Sequence, residues 1–217
     1  MRAFLLIYCL WAPLLCWSDT CLFTPPTGWH PIKAKDLSRT EIGFSKKGNS
    51  HFNPSINLAF EEVDCDLKEY LKAVKQIHTA QPNTRWNDLG AIEMKAGTGR
   101  LTEIRKPSPC GEIALLQAIF IEKNTAYILT AAVLKQELVS NQKELLTSLR
   151  SLELVPDIWS SVQDPNLKKD LIAYVEADET SSKEEWKSFQ KLVEKSANLG
   201  SYWQYLALSE ANRRSHE

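Results

Sequence analysis

From Cys110 to Val133 the chain reads CGEIALLQAIFIEKNTAYILTAAV, two apolar runs separated by Glu122-Lys123-Asn124-Thr125. Side chains alternate across a strand, so in the first run Ile113, Leu115, Ile119 and Ile121 share one side, and Ala114, Leu116, Ala118 and Phe120 the other. The second run sets Tyr127, Leu129, Ala131 and Val133 opposite Ala126, Ile128 and Thr130. The polar segment between the runs suits a hairpin turn. Strands apolar on both sides belong at the centre of a sheet whose two faces are each covered by another layer.

Shorter patterns flank this pair. Leu22–Ile32 is extended around Pro25-Pro26 and brings Trp29 to the core. Glu41–Ser45 and Ser55–Val63 read as strands, as do Trp86–Met94 and Thr98–Ile104, and Lys106-Pro107-Ser108-Pro109 is expected to break the sheet before the central pair. Between them a helix starts at an Asp64 or Asp66 cap, carries the stripe Leu67, Tyr70, Leu71, Val74 and Ile77, and ends at Pro82. Leu134–Leu152 reads as a second helix, carrying Leu138, Leu145, Leu149 and Leu152 along one side. The expected fold class is α+β, a largely antiparallel sheet with helices on both faces.

Beyond Pro156 the β pattern stops. One helix starts at Asp164-Pro165 with Leu167, Leu171 and Val175, another at Ser182 with Trp186, Phe189 and Leu192 or Val193, and a last piece after Gly200 carries Trp203 and Leu206. The expected organisation is a signal segment over 1–18, an α/β/α domain over 19–155 and a helical extension over 156–217.

The beginning of the chain supports the first of these divisions. Met1-Arg2 is followed by an apolar run from Ala3 to Trp17 interrupted only by Pro13, too short for a span of about 20 residues. Cleavage before Asp19 is expected. Lipid attachment at Cys16 is disfavoured because Leu15 precedes it where a small residue is usual, and an uncleaved anchor is the third possibility. The mature protein is thus expected outside the cytoplasm, in the periplasm or envelope or secreted. There Cys21, Cys65 and Cys110 form an odd set that closes at most one internal disulfide. The formal charge of −1 on 217 residues argues against a nucleic-acid binder.

Chemical motifs are sparse. Gly97-Thr98-Gly99 lacks the Gly-Lys-Ser/Thr ending and the following helix of a phosphate loop, so it reads as a turn. Ser188 to Lys191 fits Ser-x-x-Lys without the motifs that accompany it in acyl-enzymes. An enzyme would draw on Cys110 or on Glu61, Glu62 and Asp64, and a metal site on the same carboxylates with His30, His51 and His78, but none stands at convincing spacing. No catalytic residue, cofactor or metal is expected.

Several short strings carry a family resemblance: Pro26-Thr27-Gly28-Trp29, Pro54-Ser55-Ile56-Asn57-Leu58, Tyr70-Leu71-Lys72, Trp86 through Gly90, Ala96-Gly97 through Glu103, Leu116-Gln117 through Thr130, and the Leu145–Leu152 helix. On these, residues 22 to 155 resemble the PsbP/Mog family. The resemblance implies an antiparallel sheet between helical layers and a non-catalytic role, since the family includes an extrinsic photosystem subunit, a nuclear-import factor that binds a small GTPase, and bacterial envelope proteins. It transfers no binding residue. The expectation is an exported adaptor that docks on a protein partner, with Arg100, Arg105 and Lys106 as steering cations and Trp186 and Phe189 as candidate contacts. The alternatives are a chaperone-like holder of hydrophobic clients, using the tail aromatics or an open sheet face, and after it a hydrolase-type enzyme.

Overall fold

In the computed structural model, residues 20–32, 41–48, 51–177 and 182–214 are described. The segment 1–18, with Cys16 and the expected cleavage point, lies outside them. Among the described residues, nine strands form two sheets. In the small one, β1 (Thr20–Leu22) pairs antiparallel with β9 (Glu153–Val155). The large one contains β2 (His30–Pro31), β3 (Ile42–Ser45), β4 (Ser55–Glu62), β5 (Arg85–Met94), β6 (Gly97–Ser108), β7 (Gly111–Glu122) and β8 (Thr125–Leu134). Its order is β2-β3-β4-β8-β7-β6-β5, with every pairing antiparallel.

The hairpin β7–β8 sits in the middle, as its two apolar sides require. Glu122 pairs with Thr125, so the turn is Lys123-Asn124, and Lys123 takes the positive φ of 55° that such a turn demands. Ala114, Ala118, Leu129, Ala131 and Val133 are fully buried on one side, and Ile119, Ala126 and Ile128 are buried on the other.

Helix α1 (Leu67–Thr79) covers the second of these sides, packing Tyr70, Leu67, Leu71 and Val74 on Ile119, Ala126 and Ile128. Asp66 caps it by accepting from the Glu69 N–H at 2.8 Å. The stripe differs from expectation at its end. Ile77 is 62% exposed and His78 is half-buried instead. Both lie within one turn of Val74, and the direction of the underlying sheet selects the second.

Helix α2 (Leu138–Arg150) covers the opposite face with Leu145 and Leu149, each fully buried and each contributing about 1.5–3 kcal/mol on transfer from water. The extended lead-in is fastened to its end: Ser148 donates to the Thr24 carbonyl at 2.6 Å and the Thr24 N–H donates to Ser151 Oγ at 2.7 Å. Trp29 is buried, with Lys46 Nζ 5.4 Å from its ring centre.

The tail forms α3 (Pro165–Val175), α4 (Lys183–Lys195) and α5 (Gly200–Arg214). Local chemistry starts each of the first two: Asp164 accepts from the Asn166 N–H ahead of Pro165, and Ser182 and Glu185 close a capping box. These helices share the core of the α2 face. Tyr202 meets Phe23 and Phe44 at ring distances of 5.0 and 6.1 Å, and Trp203 donates to the Ile158 carbonyl at 2.6 Å.

One expected boundary is corrected. Lys106-Pro107-Ser108 does not break the sheet but continues β6, pairing with Ile113, Glu112 and Gly111. Strand β5 reaches only Arg85, opposite Arg105, so Pro107 stands where β6 has lost a neighbour and the missing N–H is tolerated.

Candidate functional site

Helix α1 leaves β4 near Glu62 and delivers the chain to Arg85 on the edge strand β5. On its flank toward that edge it carries Lys68, Lys72 and Lys75. These lysines, with Leu67 and Leu71, form one wall of a cleft of about 660 Å³, and Trp86, Asp88 and Arg100 from β5 and β6 form the other. Lys75 Nζ lies 5.7 Å from the Trp86 ring centre, a cation–π contact. Among the described residues no ion-pair partner falls to Lys68, Lys72 or Lys75.

Arg100 is different. Its Nη2 lies 2.6 Å from Asp88 Oδ2 and its Nε donates to Asp88 Oδ1 at 3.1 Å. Hydrogen bonding to this guanidinium holds the Asp88 carboxyl below its ordinary pKa, and Arg100 is correspondingly raised. Asp88 Oδ1 also accepts from the Gly90 N–H at 2.9 Å, beside a register shift in the β5–β6 pairing. Gly90 has φ +104°, which only glycine adopts without strain there.

A polar row lies at the level of Asp88. Asn57, Thr130, Gln117, Thr102 and Asp88 are in register across five strands, and Gln117 Nε2 donates to Thr130 Oγ1 at 3.1 Å. Thr102 Oγ1, Gln117 Oε1, Trp86 Nε1 and His78 Nδ1 are buried without a protein hydrogen-bond partner. His78 is lowered from its ordinary pKa, by burial first and by the nearby Lys106 charge second.

The structure separates the five residues singled out in the sequence. Arg100 lines the cleft. Lys106 is on the same face, half-buried beside His78. Arg105 points to the opposite face and binds Glu103 at 2.8 Å, satisfying a carboxylate that is otherwise buried and also accepts from Asn87 at 3.1 Å. Phe189 is 1% exposed, stacked on Tyr174 at 4.3 Å, so in this fold it is a core residue with no surface to offer. Trp186 is half-buried against the same rings. The three α1 lysines escaped the sequence reading because three and four residues apart on an amphipathic helix they look like a solvated flank.

The remaining motifs take ordinary roles. In the turn before Gly97, the Lys95 and Ala96 N–H groups donate to the Arg150 and Leu152 carbonyls, so they are committed to the fold. Ser188 Oγ donates to the Glu184 carbonyl within its own helix. Glu61 accepts from Tyr70 OH at 2.5 Å, and desolvation followed by this bond raises the phenol. Cys21, Cys65 and Cys110 are all free. No metal-holding group of three or more His, Cys, Asp or Glu occurs among the described residues, and no described helix is long and apolar enough to cross a membrane.

No family model and no curated protein matches the sequence. Solved structures are similar. LpqN of Mycobacterium tuberculosis, described as involved in cell envelope biogenesis, is 15% identical with a TM-score of 0.49, over 64% of this chain and 85% of that one. The cyanobacterial PsbP of Synechocystis sp. PCC 6803 is 11% identical with a TM-score of 0.45, over 65% and 95%. The Saccharomyces cerevisiae Ran-binding protein Mog1p is 18% identical with a TM-score of 0.38, over 61% and 86%.

Proposed function

We propose that this chain is a non-enzymatic, exported adaptor that docks on another protein in the cell envelope or a secretion pathway, and that the cleft between α1 and β5–β6 holds that partner. The observation that carries the reading is the cleft's composition: Leu67, Leu71 and the Trp86 indole, with three lysines on one side that have no ion-pair partner among the described residues. Apolar and aromatic surface supplies contact area, while Lys and Arg steer and orient an oppositely charged partner. Arg100 is the one member of the sequence-predicted cation set that reaches this cleft. Export is supported by the Met1-Arg2 start and the apolar run to Trp17.

The test is capture from envelope fractions by the mature protein and by the variant Lys68→Glu/Lys72→Glu/Lys75→Glu. All three lysines are exposed, so the variant is expected to fold with an unchanged circular dichroism spectrum. Loss of a protein captured by the parent supports the reading. Equal capture by both removes the cleft from it.

A further inference from the structure

We infer that the segment entering this cleft is an acidic amphipathic helix of the partner protein, an inference that rests on the docking role proposed above. Lys68, Lys72 and Lys75 stand at positions i, i+4 and i+7, which places their stems along about 10 Å of one helix flank. Like charges at such spacings repel and weaken a helix on their own. An occupant with carboxylates in a matching line relieves that repulsion at every step. A facing helix with acids three to four residues apart has this geometry. Leu67, Leu71 and Trp86 form the apolar part of the lining, so the occupant also presents an apolar stripe beside its acids.

Two other occupants fit less well. A compact phosphate calls for donors converging on one point, whereas these ammonium groups are spread along the helix, and the Glu69 N–H at its amino end is already taken by Asp66. An added β-strand calls for a straight edge. At β5 the register shifts between Asp88 and Gly90, and the Gly90 N–H is engaged by the Asp88 carboxylate. The groove beside the edge is left to a helix.

The experiment places a photo-crosslinker in the full-length chain, as Lys72→p-benzoylphenylalanine, irradiates it in envelope extract and identifies the attached peptide by mass spectrometry. The same group at exposed Glu194, on α4, gives the background. The expected adduct is a helix-forming stretch with at least three Asp or Glu at three- to four-residue spacing. It is expected to fade when Lys68→Glu/Lys75→Glu is added or the salt is raised severalfold. As a synthetic peptide it is expected to bind the parent protein at least about tenfold more tightly than a version with its acids changed to Lys. A neutral, basic or extended protein segment overturns the helix assignment and leaves the docking role standing. Adducts to lipid alone, or none above the Glu194 background, overturn both.

Discussion

Asp88 and Arg100 face each other across β5 and β6 in a two-point contact, Oδ2 to Nη2 at 2.6 Å and Oδ1 to Nε at 3.1 Å. The pair neutralises the sheet side of the cleft and leaves the positive charge on α1. Asp88→Asn keeps the oxygen that accepts from Gly90 but removes the charge, so the guanidinium joins the three lysines in facing the partner. Capture of an acidic partner is expected to strengthen, whereas Arg100→Gln in the parent background leaves the Asp88 carboxylate uncompensated in the cleft and is expected to weaken it. Titration calorimetry of the two variants with the captured partner checks this.

Phe189 and Trp186 separate packing from recognition. Phe189→Ala empties a site closed by Tyr174 and the tail core, and is expected to cost about 3–5 kcal/mol in urea unfolding. Trp186→Ala is expected to cost clearly less because the ring is only half-buried. Neither substitution is expected to alter partner capture by the folded protein. Removing residues 157–217 is expected to destabilise the sheet itself, since Phe23 and Phe44 lose the Tyr202 ring.

His78 gives the fold an acid sensitivity. Its pKa is lowered in the folded state, by burial and then by Lys106, so below the unfolded value of about 6.5 the unfolded chain binds more protons than the folded one. Stability is therefore full above that pH and declines as pH falls through and below it. Asp88, Glu112 and Glu185 are also lowered, but from carboxylate values that titrate further into acid. Between pH 7.5 and 5.5 the melting temperature is expected to fall, and His78→Phe to flatten that slope.

The cysteines are expected to differ in reactivity. Burial, with the Glu153 charge adding, pushes the Cys21 thiol up to about 12, while Cys110 is exposed and Cys65 is intermediate. Under native conditions near pH 8, Cys110 is expected to react first with a thiol reagent and Cys65 more slowly. Cys21, on β1 opposite Leu154, is expected to react only at the rate of unfolding. Peptide mapping of a labelling time course reads all three.

What the sequence disclosed divides by the range of the interactions. The two-sided apolar pattern of β7–β8 and the helix starts at Asp164 and Ser182 are written in neighbouring residues, so they were legible, whereas Asp64 and Asp66 both suited the start of α1 and the structure selects Asp66. The choice of His78 over Ile77 was not, because both satisfy the helical period from Val74 and only the sheet's direction decides between them. Pro107 misled for a similar reason: its tolerance depends on where β5 stops. The tail aromatics declared a packing face without saying which way it turned. The cleft was the least legible feature, since Lys68, Lys72 and Lys75 become a site only when folding brings Trp86 and Arg100 up beside them.

Amide hydrogen exchange of the protein, with and without the partner it captures, tests the docking cleft most directly. Added protection is expected in α1 (Leu67–Thr79) and along β5–β6 from Arg85 to Arg100, with α2 and the tail helices unchanged. Protection confined to the tail or α2, with α1 and β5 exchanging as in the free protein, would contradict it.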